Sequence, residues 1–427
     1  TLLTYPFSWV LPMLIFAAVL FLIFIYFGIS LGKLTLKGIF KGFIPFLTAT
    51  ILCGGVSFYL WKLLLIVHPA YKDMLHGFTY NGYTYIVAFV FLNLWITLKI
   101  YKYFKKQDKE TDLIIAPIFV WLIINFLISD SLKGAGFFII PVFCALLILG
   151  ISVFMNLEKR AKRILFTILS LPTIYIFAPM IKMFPVGLGL KNLMISGVLI
   201  ALLFGLLVFS FYQKKSFWFL KLSGFFTLLF FGIATNNSGF SVDNKKPNSI
   251  VYIQNSDDNS AYFGTYNNTL DNYTKQIFDE SSIKGSIINA ETKSKYNTRF
   301  TYHKKTESRN ISSSSFNINL DTIIDNKRFI EFEITPERTI NKLEFITNNK
   351  ISLNQFKVND ALVNKGKNFS VKRGTFLVYH VANSDKEITL SFTVDKNQTL
   401  DIILNEISYD LLSNPSFSFT PRTEEMM

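Results

Sequence analysis

Eight runs of roughly twenty mostly apolar residues fill the first 240 positions, at about 8–30, 42–66, 82–100, 112–129, 136–155, 163–182, 191–212 and 216–235. Each is long enough for a helix to cross a hydrocarbon layer of about 30 Å. The break at 130–136 is the shortest, and ignoring it merges two runs and leaves seven. From Asn236 onward the pattern changes to short segments with apolar positions two apart. These lie at 249–254, 328–334, 342–346, 375–380, 387–394 and 400–407, and two is the period of a strand. Gly366, Gly374 and the pairs Asn359-Asp360 and Asn383-Ser384 punctuate them as turns. Residues 270–278 read as one short helix and 413–427 as an exposed tail. The expected architecture is a polytopic α-helical membrane domain of about eight spans over 1–240. An exported all-β, sandwich-like domain with a short tail follows over 241–427.

Charge gives the helices a direction. Residues 1–240 hold 20 Lys+Arg against 6 Asp+Glu, and the remainder holds 23 of each, so the formal net charge of +14 belongs to the apolar part. There it orients helices rather than gripping nucleic acid, and no nucleic-acid partner is expected. Lys33, Lys37 and Lys41 follow the first run, and Lys99, Lys102, Lys105, Lys106 and Lys109 the third. Lys159, Arg160, Lys162 and Arg163 follow the fifth, and Lys214, Lys215 and Lys221 the seventh. Cations are retained on the cytoplasmic face. The alternation therefore puts Thr1 and everything beyond about residue 236 on the other side: periplasm, lumen or cell exterior.

Little in the spans carries chemistry. No Asp or Glu falls mid-run; Asn93, Asn125, Thr48, Thr50 and Ser57 are the main polar positions. Ion-coupled carriers and intramembrane proteases need carboxylates, His or catalytic pairs at depth, so both classes are disfavoured. Asn93 and Asn125 read as interhelical hydrogen-bond partners. Pro172 and Pro179 share one run; beside Asn125 they mark a candidate membrane cavity if they break the helix. Cys53 and Cys144 sit within apolar runs and form no disulfide framework. In the later part His303 and His380 stand far apart, too dispersed for zinc, and Asp257-Asp258 reads as a solvated turn. His68 and His76 fall in the loop after the second run. No catalytic or metal-binding residue is expected in this chain.

One junction segment is distinctive. Lys246-Pro247-Asn248-Ser249-Ile250-Val251-Tyr252 is followed by Ala261-Tyr262-Phe263-Gly264-Thr265-Tyr266, then by Leu270-Asp271-Asn272-Tyr273-Thr274-Lys275-Gln276. It resembles the pattern after the last membrane span in membrane-anchored zinc aminopeptidases of metallopeptidase family 28. These are the vacuolar membrane protease and endoplasmic reticulum metallopeptidase type. Thr4-Tyr5-Pro6, Leu171-Pro172 with Pro179, and Pro421-Arg422 with Met426-Met427 are similar to further stretches of that family. Tyr262-Phe263 and Tyr273 stand where the family has Trp, and Leu411-Leu412-Ser413 where Gly-Leu-Pro is common.

The resemblance implies that a dizinc peptidase domain, with the ligands and the general base, precedes a chain such as this one. Zinc is then expected only on that domain, and no ligand transfers to any residue here. The family junction positions are Lys246, Pro247, Asn248, Ser249, Tyr252, Tyr266, Leu270, Asp271, Thr274 and Gln276. The expected function is the membrane-anchoring and accessory portion of a zinc-dependent exopeptidase. Its partners would be the lipid bilayer and the N-terminal peptidase domain. The alternative is a non-enzymatic membrane scaffold that binds other envelope proteins through its β-domain.

Overall fold

A computed structural model describes residues 6–104, 111–211, 216–286, 294, 296, 298–382 and 386–427. Thr4 and Tyr5 of the opening motif, Lys105, Lys106, Lys109, Lys214 and Lys215 of the cationic loops, and the Asn383-Ser384 turn lie outside the described residues. The chain forms two compact units, one of Thr1–Pro247 with Glu424–Met427 and one of Asn248–Thr423.

The first unit is helical: α1 (Val10–Ser30), α2 (Leu36–Val67), α3 (Gly82–Phe104), α4 (Ile115–Ser131), α5 (Ile139–Phe154), α6 (Lys159–Leu188), α7 (Leu193–Leu206), the one-turn α8 (Val208–Phe211) and α9 (Ser216–Asn236). By length and composition, seven helices among the described residues are apolar enough to cross a membrane. The seventh expected run falls short of that length. It is interrupted at Leu207, whose N–H is shared between the Leu203 and Phe204 carbonyls, and this leaves a 14-residue α7. The break at 130–136 is real, since a 3₁₀ segment, Lys133–Phe138, separates α4 from α5.

α2 and α6 are longer than their apolar runs, at 32 and 30 residues. Thr35 starts α2 early, its hydroxyl accepting from Gly38 N at 3.0 Å. Lys37 and Lys41 consequently lie within the first two turns of α2, and Lys159, Arg160, Lys162 and Arg163 lie within those of α6, rather than in loops. Cations there oppose the helix dipole.

Side-chain and loop hydrogen bonds show how the helices alternate. At one end Asp112 accepts from Thr35 N (3.0 Å) and Thr35 Oγ1 (3.1 Å), and Lys33 Nζ donates to Asn156 Oδ1 (3.0 Å). The opposite end of α2 joins the loops after α2, α6 and α9. Leu190 N donates to the Gly77 carbonyl (2.7 Å) and Asn81 Nδ2 to the Ala234 carbonyl (2.7 Å). The described parts of the loops after α1, α3 and α5 thus meet at one end. The outward surface is apolar, with Leu22, Phe40, Ile51 and Tyr175 all largely exposed, while the interior packs around Trp121, Phe46, Phe177 and Ala49. A helical bundle with an apolar exterior is compatible with an integral membrane protein.

The second unit is β-rich and antiparallel throughout its ladders. A four-stranded sheet, in the order β1-β2-β4-β3, contains β1 (Val251–Gln254), β2 (Ala261–Thr265), β3 (Ile283–Lys284) and β4 (Tyr302–Thr306). The remaining strands are β5 (Ser315–Ile324), β6 (Lys327–Thr335), β7 (Lys342–Thr347), β8 (Ile351–Val358), β9 (Ala361–Leu362), β10 (Phe369–Val371), β11 (Gly374–His380), β12 (Ile388–Asp395) and β13 (Ile402–Ile407). They form one sheet ordered β10-β8-β12-β6-β5, with β9 pairing β8, and a smaller one ordered β11-β7-β13. Their inner faces share one core. Ile334, Leu353, Phe356, Leu390, Phe392 and Val394 come from the larger sheet, and Leu343 and Phe345 from the smaller. Two sheets over one core make a sandwich.

Two expectations change. Residues 270–278 contribute only the 3₁₀ turn Thr274–Gln276, because Asp271 and Thr274 bond each other's backbone N–H groups and close the chain locally. Residues 413–427 have little regular structure yet are held in place. Phe417 packs against Tyr252 (4.8 Å between centroids), and Lys246 and Met426 form a parallel bridge.

Candidate functional site

The junction motif becomes a continuous set of side-chain contacts in the β-rich unit. Its centre is Asn267, 3% exposed, whose Oδ1 accepts from Ser249 N (2.7 Å), Ser249 Oγ (3.1 Å) and Thr265 Oγ1 (3.0 Å). The Ser249 hydroxyl in turn accepts from Tyr266 N at 3.0 Å. These bonds join the segment entering β1 to the end of β2, where a free-standing hairpin would fray. Tyr266 stacks on Phe300 with centroids 4.6 Å apart. Burial, and secondarily the negative charge of Glu344, push its phenol up to about 12.

The next link is the Asp271–Thr274 pair. Asp271 Oδ1 accepts from Thr274 N (2.9 Å) and Oγ1 (3.0 Å), while Thr274 Oγ1 accepts from Asp271 N (2.8 Å). This reciprocal arrangement works like a capping box. Gln276 then ties in the tail, its Oε1 accepting from Thr420 N (2.9 Å) and Thr420 Oγ1 (3.0 Å). Arg422 closes the set. Its Nε donates to Asn248 Oδ1 at 2.6 Å and its guanidinium lies 4.7 Å from the Tyr273 ring centroid. Tyr252 donates to Gln254 Oε1 (2.7 Å) and accepts from Arg309 N (2.9 Å). Burial raises its phenol above the usual range, partly countered by the backbone N–H and charge of Arg309.

Sequence reasoning found Asn248, Ser249, Tyr252, Tyr266, Asp271, Thr274 and Gln276, all of which join this set; Leu270 is half-buried beside them. Lys246 and Pro247 belong to the helical unit, where Lys246 Nζ lies 3.5 Å from the buried Asp73 carboxylate. Asn267 was missed. Within Asn267-Asn268-Thr269 it reads as a chance sequon in an Asn-rich stretch, and only its burial reveals it as an acceptor.

The candidate membrane-cavity residues differ in exposure. α6 runs unbroken through Pro172 and Pro179, which are both exposed. Asn125 is buried, and its Nδ2 donates to the Trp121 (2.8 Å) and Phe138 (3.2 Å) carbonyls. Asn93 links helices as well, donating to Ser57 Oγ at 3.0 Å beneath Cys53 and Thr97. Gly197 of α7 closes on this polar layer; a Cβ there would lie 2.6 Å from Ser57 Oγ and 2.7 Å from the Cys53 carbonyl. The one buried carboxylate near α4, Asp112, caps the start of α2.

Among the described residues no three His, Cys, Asp or Glu side chains form a metal-holding group. His303 is bonded through Nδ1 to the Gly285 carbonyl (2.8 Å), His76 through Nε2 to the Val186 carbonyl (3.0 Å), and His380 is exposed at the end of β11. These residues do not fit a zinc site. A cleft in the β-rich unit, about 380 Å³ and lined by Gln254, Ser256, Asn259, Ser308, Arg309 and Ser313, is polar and open. Comparison with protein-family models, curated proteins and solved structures finds no match to this chain.

Proposed function

We propose that this chain is the membrane-anchoring and accessory portion of a zinc-dependent exopeptidase whose catalytic domain lies outside the sequence. In this reading the helical unit spans the bilayer eight times, α7 with its one-turn extension making up the shortest span. The β-rich unit stands on the periplasmic or lumenal side, where it supports the peptidase domain and limits access to peptide ends.

One observation carries the reading. The residues singled out by the resemblance, from Asn248 to Gln276, are interlocked by side-chain hydrogen bonds with Arg422 and Thr420, two residues of the tail. Local strand propensity requires no such selection of Asn, Ser, Asp, Thr and Gln. The meeting of the described parts of the loops after α1, α3 and α5 at one end, Lys33 among them, supports the orientation. The test is peptidase activity of the complete protein with and without residues 241–427. Loss of rate, altered length preference or reduced stability is expected, and unchanged values of all three reject the accessory role.

A second reading, a non-enzymatic scaffold, is favoured by β5. This edge strand leaves Phe316, Ile318 and Ile323 exposed. Intact His, Asp and Glu zinc ligands in the preceding polypeptide would favour the enzyme; their loss would favour the scaffold.

A further inference from the structure

The β-rich unit is an insertion in the helical one. The chain leaves the helical unit after Pro247 and returns to it at Glu424. The two crossings are bonded to each other inside the helical unit: Lys246 N donates to the Glu425 carbonyl (2.8 Å), and Met427 N donates to the Lys246 carbonyl (3.0 Å). This is the only parallel pairing among the described residues. A parallel bridge in two such short segments has little intrinsic stability.

Its surroundings supply that stability. Lys246 Nζ reaches Asp73, whose side chain is fully buried, and Tyr80 Oη donates to the Lys245 carbonyl at 2.8 Å. Ser241 and Asn244 bond each other's backbone in both directions, so the stretch from α9 to Lys246 is itself folded. Within the β-rich unit the same two crossings are joined again by Arg422 and Asn248. The neck is therefore fastened on each side of the unit boundary.

We propose that Glu424–Met427 is a clasp: it closes the neck within the helical unit by strand pairing on Lys246. The sequence around 237–247, rich in Asn, Ser, Gly and Lys, would by composition form a flexible tether. The clasp turns that tether into a closed two-strand neck. The proposal concerns the hydrogen bonds of this chain alone and stands whether or not the exopeptidase reading does.

Limited trypsin digestion of the full chain in detergent tests it, with cleavage after Lys245 read by mass and cleavage after the exposed Lys396 as internal reference. Met427→Pro removes one backbone donor from the bridge, and a chain ending at Thr423 removes the whole clasp. Both are expected to be cut after Lys245 roughly tenfold faster than the parent, as for the loss of one or two net hydrogen bonds from a locally opening segment. Met427→Ala keeps the N–H and is expected to match the parent. Equal Lys245 cleavage in all four proteins overturns the clasp. So does an increase shared equally by Lys396, which would mark general unfolding of the β-rich unit.

Discussion

Single atoms decide several features of this protein. At Gly197 an added Cβ would meet a backbone carbonyl at 2.7 Å and a buried hydroxyl at 2.6 Å, and neither can withdraw without separating α2 from α7. Gly197→Ala is expected to cost about 1–3 kcal/mol. Gly55→Ala, with nothing within 4 Å of its Cβ, should change stability by no more than about 0.5 kcal/mol. Thermal unfolding in detergent separates the two. In the β-rich unit, Asn267→Ala removes an acceptor shared by three donors and strands Ser249 N, while the Ser249 and Thr265 hydroxyls, 3.3 Å apart, can bond each other. It should cost about 1–3 kcal/mol, read from the denaturant midpoint of the β-rich transition.

Titration follows from the same contacts. Tyr266 has a folded pKa above its unfolded value of 10.0, so its contribution is complete below pH 10 and lost as pH climbs through about 12. Tyr266→Phe keeps the stack on Phe300 and should flatten this alkaline loss. Asp279 is the opposite case. Hydrogen bonds from Lys304 and Ser281 lower its carboxyl to about 2, so its contribution holds above pH 3.8 and vanishes as pH falls towards 2. Denaturant midpoints measured across both windows check the signs.

At the scale of elements, legibility depended on whether burial kept a regular period. All six strands expected from alternation appear, as β1, β6, β7, β11, β12 and β13. β8 escaped because Gln355, with φ of +49°, inserts a bulge: buried Ile351 and Leu353 precede it, and Phe356 and Val358 resume with the phase shifted by one. β5 escaped for a different reason. It is an edge strand exposed along almost its whole length, with its own register shift near Asn319, so its apolar residues mark no buried face. The Asp325-Asn326 turn before β6, both residues at positive φ, was equally readable as a hairpin signal and went unused. The sandwich assignment makes opposite demands on the two strands. Phe356→Ala should cost about 3–5 kcal/mol, whereas Ile318→Lys should cost under about 0.5 kcal/mol. Comparable losses from both would place the core elsewhere.

For the whole molecule, the two-part layout was visible in the hydropathy change near Asn236, but the true seam was not. The boundary falls at Pro247, and the last four residues rejoin the helical unit through backbone hydrogen bonds, which leave no trace in side-chain pattern. The junction residues were legible only through a family resemblance, since composition gives no reason to single out Asn248 or Gln276. That Pro172 and Pro179 are exposed while Asn125 is buried was not legible either, because it depends on how α6 is rotated against its neighbours.

The central claim is that the cationic end of the bundle faces the cytoplasm while the β-rich unit is exported. The direct measurement is thiol accessibility in intact cells, after Cys53→Ala and Cys144→Ala remove the native thiols. Single cysteines are placed by Asp257→Cys in the β1–β2 turn and by Asn156→Cys beside Lys33. A membrane-impermeant maleimide is predicted to label position 257 in intact cells and position 156 only after permeabilisation. Labelling at 156 with protection at 257 would contradict the account.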